Sequence, residues 1–371
     1  MIIGVPKEIK NNEYRVAMIP SGVEEFIKNG HEVLIETGAG LGSGFGDEDY
    51  RKAGAEIVER EIVFKRAEMI YKVKEFLQEE FKYLREGMII FTYIHSNAFR
   101  AQTDVFLKNK VVGISYEDIE DKDGKFPLLK PMSEIAGKGG FLMAMQYTQK
   151  INDGNGLLLA RIHGIRTPEV AIIGAGVAGL GAAEIASNLG NKVTILDINL
   201  DKLEKAKYVL PSNVELLYSN KENLVMCLKR SDVLMNCILW PKWRKDHLVT
   251  RDMLKFMKKG TLIVDVFCDE CGAIETCRAT SHDHPIYFEE GVMHYCVDNI
   301  PATFSQTATT SLCHATLPYA IEIANKGYER ALKENKYLRK GLCFYFGVLT
   351  LEETGKKQNR PYKTPEQVLN I

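Results

Sequence analysis

Two apolar runs in the first hundred residues stop on side chains that can carry charge. AEMIYKV (67–73) runs into Lys74, and MIIFTYI (88–94) runs into His95. A third cation, Arg15, closes the polar turn Asn11-Asn-Glu-Tyr-Arg15 that follows the apolar run IIGV (2–5). Taken singly, a lysine at a strand end is usually solvated, a core histidine hydrogen-bonded and a surface arginine ion-paired. Together they mean more. Two fixed cations and one titratable imidazole suit a small carboxylate undergoing proton transfer. Open α/β sheets bind ligands beyond the carboxyl ends of their strands, which is where these residues fall.

A second constellation is contiguous. Gly174-Ala-Gly-Val-Ala-Gly179 follows the apolar run Val170-Ala-Ile-Ile173 and opens a small-residue helix. Gly174 permits a tight turn, Gly176 lets backbone approach a pyrophosphate, and Gly179 allows helix and sheet to pack closely, with the helix N-terminus facing the anion. The next strand ends on Asp197, 18 residues beyond Gly179, placed to accept hydrogen bonds from an adenosine ribose. Asp197 is followed by Ile198 and Asn199, and its carboxylate repels a 2′-phosphate, so NAD is expected over NADP, with Lys202 one helical turn on.

Asp269 follows the run TLIVDVF (261–267), at a strand end of the same series, where it is placed to reach a bound nicotinamide. An alternative stands beside this: Cys268, Cys271, Cys277, His282 and His284 form C-x2-C-x5-C-x4-H-x-H, a donor set that could hold Zn²⁺. The spacing matches no common finger, and no metal is expected.

These residues need sheets to position them. Apolar runs at 2–5, 31–37, 67–73, 88–94 and 111–117 alternate with helical patterns, as do runs at 170–176, 192–197, 214–219, 232–239 and 261–267. That is the alternation of parallel α/β sheets, in two series. The helix from Pro20 stops at Asn29-Gly30, and another should run from Pro131 to about Lys150, with Ser133 able to cap it or line a site. From about Thr303 the chain reads as helix, without strands for a third sheet, and residues 356–371 read as a polar surface tail. The expectation is two doubly wound domains: a substrate domain of residues 1–130 and 303–371, interrupted by a Rossmann-type nucleotide domain of residues 131–302.

The 371 residues suit two domains. Lys plus Arg (48) nearly balance Asp plus Glu (49), which argues against a nucleic-acid or anionic-lipid partner. No apolar stretch reaches the roughly 18 residues of a membrane span, and the N-terminus is charged early, so a soluble cytoplasmic protein is expected. Eight cysteines, none in the first 226 residues, read as reduced thiols without disulfides.

The motifs GVPKEIKNNEYRVAMIP, YKVKE, FTYIHS, PMSEIAG, GAGVAG, LDINLDKL, ETCRATSHDHPIY, HYCVDNIPA and ATLPYA span nearly the whole chain. In them the sequence resembles the alanine dehydrogenases that share a fold with the nicotinamide nucleotide transhydrogenase α subunit. The resemblance implies NAD-dependent oxidative deamination of L-alanine to pyruvate and ammonium, and the reverse amination. By position, Arg15 and Lys74 match residues that hold the substrate carboxylate and carbonyl, and His95 and Asp269 match the catalytic acid/base pair. Ser133, Val177, Ala178, Asp197, Lys202, Ser219, Ile238, Leu239, Arg278 and the segment Val297, Asp298, Asn299, Ile300 match positions lining the cofactor, as do Val266, Phe267 and Cys268 before Asp269. A homohexamer assembled through the cofactor domains is also implied. The chain departs from the family at Trp240-Pro-Lys-Trp-Arg244, at Glu270-Cys271, at Lys138 and at Leu157 to His163. A related dehydrogenase of the opine or saccharopine type, with another amine or 2-oxo acid, and a transhydrogenase-like NAD-binding module therefore stand as alternatives.

Overall fold

Short runs of Ile, Val, Leu and Phe, buried on both faces, form the parallel core strands of this protein, because crossover helices cover both sides of such sheets. A computed structural model describes residues 1–241, 244–268 and 272–371. Contacts divide the chain into two units, Met1–Met132 with Ala302–Ile371, and Ser133–Pro301.

The first unit opens with six strands: β1 (Ile2–Val5), β2 (Glu32–Glu36), β3 (Glu56–Val58), β4 (Met69–Tyr71), β5 (Ile89–Thr92) and β6 (Val112–Ser115). All pair in parallel, in the order β3-β2-β1-β4-β5-β6. The second unit holds β7 (Glu169–Ile173), β8 (Lys192–Asp197), β9 (Glu215–Tyr218), β10 (Val233–Asn236), β11 (Leu262–Asp265), β12 (Ile286–Glu289) and β13 (Val292–Tyr295). Its parallel strands run β9-β8-β7-β10-β11-β13, and β12 pairs antiparallel at the edge. Each order reverses direction beside its first strand, between β1 and β4 and between β7 and β10. Doubly wound sheets open a ligand crevice at that reversal.

The last segment departs from expectation. The helix Ser305–Lys326 is present, but two strands follow, β14 (Leu342–Tyr345), which adds antiparallel to β6, and β15 (Val348–Leu349), which adds antiparallel to β14, and they extend the first sheet to eight strands. Residues 356–371 are not a tail. They contain the last turn of the helix Glu352–Gln358 and all of Pro365–Leu369, whose Thr364 and Gln367 cap each other, and Leu369 is buried. Strands also end sooner than the apolar runs. β4 stops at Tyr71 and β5 at Thr92, so Lys74 and His95 stand three residues beyond their strands, in the connecting loops. The helix expected to reach Lys150 ends at Tyr147.

Candidate active site

The crevice between β1 and β4 is built from charged side chains. Arg15 follows β1 and is buried; its Nε and Nη2 donate to the Glu13 carboxylate at 2.7 and 2.6 Å, a two-pronged clasp that fixes the guanidinium plane. Burial opposes the Arg15 charge, but Glu13 outweighs it and raises the pKa. Nη1 lies 3.2 Å from Met132 Sδ. Arg15 and Glu13 border a cavity of about 390 Å³ between residues 7–15 and 38–42.

Lys74 is placed by a buried ion network beneath it. Glu8 accepts the backbone N–H of Val73 at 2.7 Å and of Lys74 at 3.1 Å. Its other oxygen pairs with the buried Lys72 ammonium, which also meets Glu80 at 3.0 Å. Burial pushes the Glu8 carboxyl up to about 7 despite Lys72. Glu75 binds Lys10 at 2.8 Å and lies 3.9 Å from Lys74. Burial would raise its pKa, yet the charges of Lys74, Lys10 and His95 hold it at about 2. The His95 ring stacks on Tyr93 at 5.8 Å, and Tyr93 is coupled electrostatically to Arg15. Glu75 and Tyr93 thus connect Lys74, His95 and Arg15 at one sheet edge. Neither stands out in the sequence, nor do Glu13 and Glu117; the available signal is an acid within two residues of Arg15 and of Lys74, and an acid closing the run VVGISYE (111–117) as His95 closes its own.

The crevice between β7 and β10 is built from backbone. Gly174 has φ +105°, and a Cβ there would lie 2.5 Å from Ile238 and 3.0 Å from the Cys237 carbonyl oxygen. At Gly179 a Cβ would fall 1.8 Å from the Gly174 carbonyl oxygen, so the helix Val177–Asn188 packs on the turn at a distance only glycine allows. At Gly176 nothing lies within 4 Å. Two glycines are therefore steric necessities, while the third keeps the backbone open, as a pyrophosphate cradle requires. Asp197, at the end of β8, accepts the N–H groups of Ala175 and Asn199, both at 2.8 Å, and joins the glycine turn to the next helix.

A cavity of about 930 Å³ opens beside this turn, lined by Gly174, Gly176, Asp197, Lys202, Ser219, Ile238 and Leu239 among others. That volume and the glycine cradle fit a dinucleotide. Trp240 also walls it, its Nε1 donating to the Asp246 carbonyl at 2.8 Å and its ring covered by Arg244 at 4.2 Å.

The other expected cofactor residues lie elsewhere on the unit. Val177, Ala178 and Gly179 form the first turn of their helix. Val266, Phe267 and Cys268 follow β11, and Val297, Asp298, Asn299 and Ile300 follow β13, on the same carboxyl edge of the parallel strands as Gly174. Ser133 sits inside the helix Lys130–Tyr147 rather than capping it. Arg278 lies over the Tyr287 ring at 3.6 Å and pairs with Glu289 at 3.2 Å, and it does not line the cavity. Asp269 lies outside the described residues, as do Lys242, Trp243, Glu270 and Cys271. Among the described residues no three His, Cys, Asp or Glu side chains gather as a metal site, and no helix is long and apolar enough to cross a membrane.

Comparison with known proteins covers the whole chain. Residues 4–136 match the family described as alanine dehydrogenase/PNT, N-terminal domain, and residues 140–352 its C-terminal domain. The sequence is 47% identical over 372 aligned residues to an alanine dehydrogenase of Methanococcus maripaludis and 44% identical over 370 to one of Staphylococcus saprophyticus, with full coverage of both partners. A solved L-alanine dehydrogenase superposes with a TM-score of 0.93 at 39% identity, covering 97% of this chain and 99% of the other. A transhydrogenase from Sinorhizobium meliloti, at 21% identity, shares the fold with a TM-score of 0.81, covering 94% of this chain and all of the other.

Proposed function

We propose that this chain, which belongs to the alanine dehydrogenase/PNT family, oxidatively deaminates L-alanine to pyruvate and ammonium with NAD, and runs the reverse amination. The observation that carries the reading is the presence in one chain, at two switch points of the same kind, of the glycine cradle and of Arg15, Lys74 and His95.

Removing a hydrogen with its electron pair from Cα requires a neutral amine, a fixed carboxylate and an acceptor in contact with that carbon. Bound NAD would supply the electrophilic ring that accepts it. Gly174, Gly176 and Gly179 would hold its pyrophosphate, and Asp197, Lys202 and Ser219 its adenosine end. The Asp197 carboxylate disfavours a 2′-phosphate there, which supports NAD over NADP.

Arg15, held rigid by Glu13, and Lys74, held by the Glu8–Lys72 network, orient the substrate carboxylate, and their contribution is positional. His95 takes the proton that frees the amine and returns it as the carbonyl forms. Asp269 activates the water that attacks the imine; this role comes from the family resemblance. A soluble, cytoplasmic homohexamer assembled through the nucleotide-binding units completes the reading on the same grounds.

The test is NADH formation across the standard amino acids, with 2-oxo acids and ammonium or diamines in reverse. L-alanine and pyruvate with ammonium should give the highest kcat/KM. A product larger than either substrate would move the chain to the opine or saccharopine type. Tight NAD binding with no amino acid oxidised would leave only a nucleotide-binding module.

A further inference from the structure

His95 is held by a carboxylate to which the reaction above gives no role. β5 ends at Thr92, and three residues later His95 adopts φ +50°, a left-handed conformation that strains a residue with a side chain. Such a turn persists only where its surroundings enforce it. Glu117, two residues beyond β6 on the neighbouring strand, does so: its Oε1 accepts the backbone N–H of His95 at 2.5 Å and of Ile94 at 3.1 Å, and its Oε2 that of Ile94 at 3.2 Å. The same Oε1 lies 3.8 Å from His95 Nδ1. One carboxylate therefore grips the backbone that aims the imidazole and stands within ion-pairing distance of one edge of the ring.

Other groups bear on the ring too. Tyr93 stacks on it, with its hydroxyl tied to the Leu128 carbonyl at 2.7 Å. Glu75 acts on it from the loop after β4, with Lys74 and Lys10 beside that carboxylate. Behind Glu117 lie Asp118, bonded by the Ser115 hydroxyl at 2.6 Å, and Glu353. Among the described carboxylates that bear on His95, Glu75 is bound to Lys10 and set against Lys74, whereas Glu117 is bound to backbone N–H groups, which oppose the rise in its pKa that burial causes.

We propose that Glu117 is the positioning residue of His95: its carboxylate fixes the left-handed turn and keeps a proton on Nδ1, so that Nε2 is the nitrogen that exchanges the reaction's proton. The ring then takes a proton from the substrate amine at Nε2 while Nδ1–H stays in place, and the resulting imidazolium is balanced by Glu117. The inference rests on His95 serving as proton shuttle in the deamination.

The test compares Glu117→Gln and Glu117→Ala with wild type in the full chain, reading the His95 imidazole titration by NMR and the pH profiles of kcat and kcat/KM. Glu117→Gln keeps an acceptor for the backbone but loses the charge. It should lower the imidazole midpoint and the acid limb of kcat/KM by about one pH unit and reduce kcat about tenfold, with alanine KM and NAD affinity within about twofold. An imidazole midpoint equal to wild type in Glu117→Gln overturns the proposal, even if both variants lose stability, since a purely structural role would not move it. The titration needs no turnover. Wild type that fails to oxidise alanine while Glu117→Gln still shifts the midpoint would therefore sink the deamination and leave the coupling standing.

Discussion

Between β1 and β4 the chain presents charged side chains, Arg15, Lys74 and His95, each steadied by an acid; between β7 and β10 it presents bare backbone, Gly174 to Gly179. The parallel strands follow the same order in both sheets, and only the antiparallel edges differ. The contrast matches the demands of the proposed function: a pyrophosphate is held by N–H groups and a helix end, while a reacting amino acid needs charges and a proton acceptor at defined points. The electrostatics follow suit. Glu75, among cations, is held at about 2, and Asp265, buried at the end of β11 with the Asn236 amide on one oxygen, is pushed up to about 7.

The glycines offer the largest test of this contrast. Gly179→Val would press on the Gly174 carbonyl and should abolish folding of the nucleotide unit, seen as insoluble protein or a collapsed melting transition. A Cβ at Gly176 meets no atom within 4 Å, so Gly176→Val should fold normally while weakening NAD at least about tenfold in a fluorescence titration, because it blocks backbone approach. Equal behaviour of the two variants would contradict a backbone-built site.

On the other sheet, Glu75→Gln removes a carboxylate whose lowered pKa stabilises the fold above its ordinary value of 4.5, a contribution lost as pH falls towards about 2. The variant should be less stable by roughly 2–3 kcal/mol at pH 7 in denaturant melts, with the gap closing in acid. A gap independent of pH would rule out the charge as its cause.

The smallest effect is expected at Asp265. A raised carboxyl costs stability as pH climbs from about 4 through about 7, since the unfolded chain ionises first. Asp265→Asn should therefore melt higher than wild type at pH 8, by on the order of 1–2 kcal/mol, and nearly the same at pH 4. Greater destabilisation at pH 8 than at pH 4 would reverse the assignment.

The same contrast governs what could be read in the sequence. The nucleotide cradle is six consecutive residues after a strand, so local steric rules expose it. The cations of the charged site stand up to 80 positions apart, and the sequence shows them but not the acids that hold them: Glu13, Glu75 and Glu117 look like ordinary surface charge until the sheet brings them in. Strand β3 is only three residues long and escapes any pattern. The two antiparallel hairpins, β12–β13 and β14–β15, turn on Glu290-Gly291 and Phe346-Gly347, with positive φ at both positions of each turn. Asn-Gly or Asp-Gly would have announced those turns; Glu and especially Phe in that conformation do not. The last helix is legible in Thr364-Pro-Glu-Gln367, a capping box, but its short length and polar surroundings read as a tail.

The central claim is a division of labour, with cofactor held by one sheet and proton transfer performed by a residue of the other. It is tested most directly by His95→Ala, measured for NAD affinity by titration and for L-alanine turnover in the same preparation. NAD affinity unchanged, with kcat down about a hundredfold or more, is the predicted result. Turnover near wild type would remove His95 from the chemistry and contradict the account.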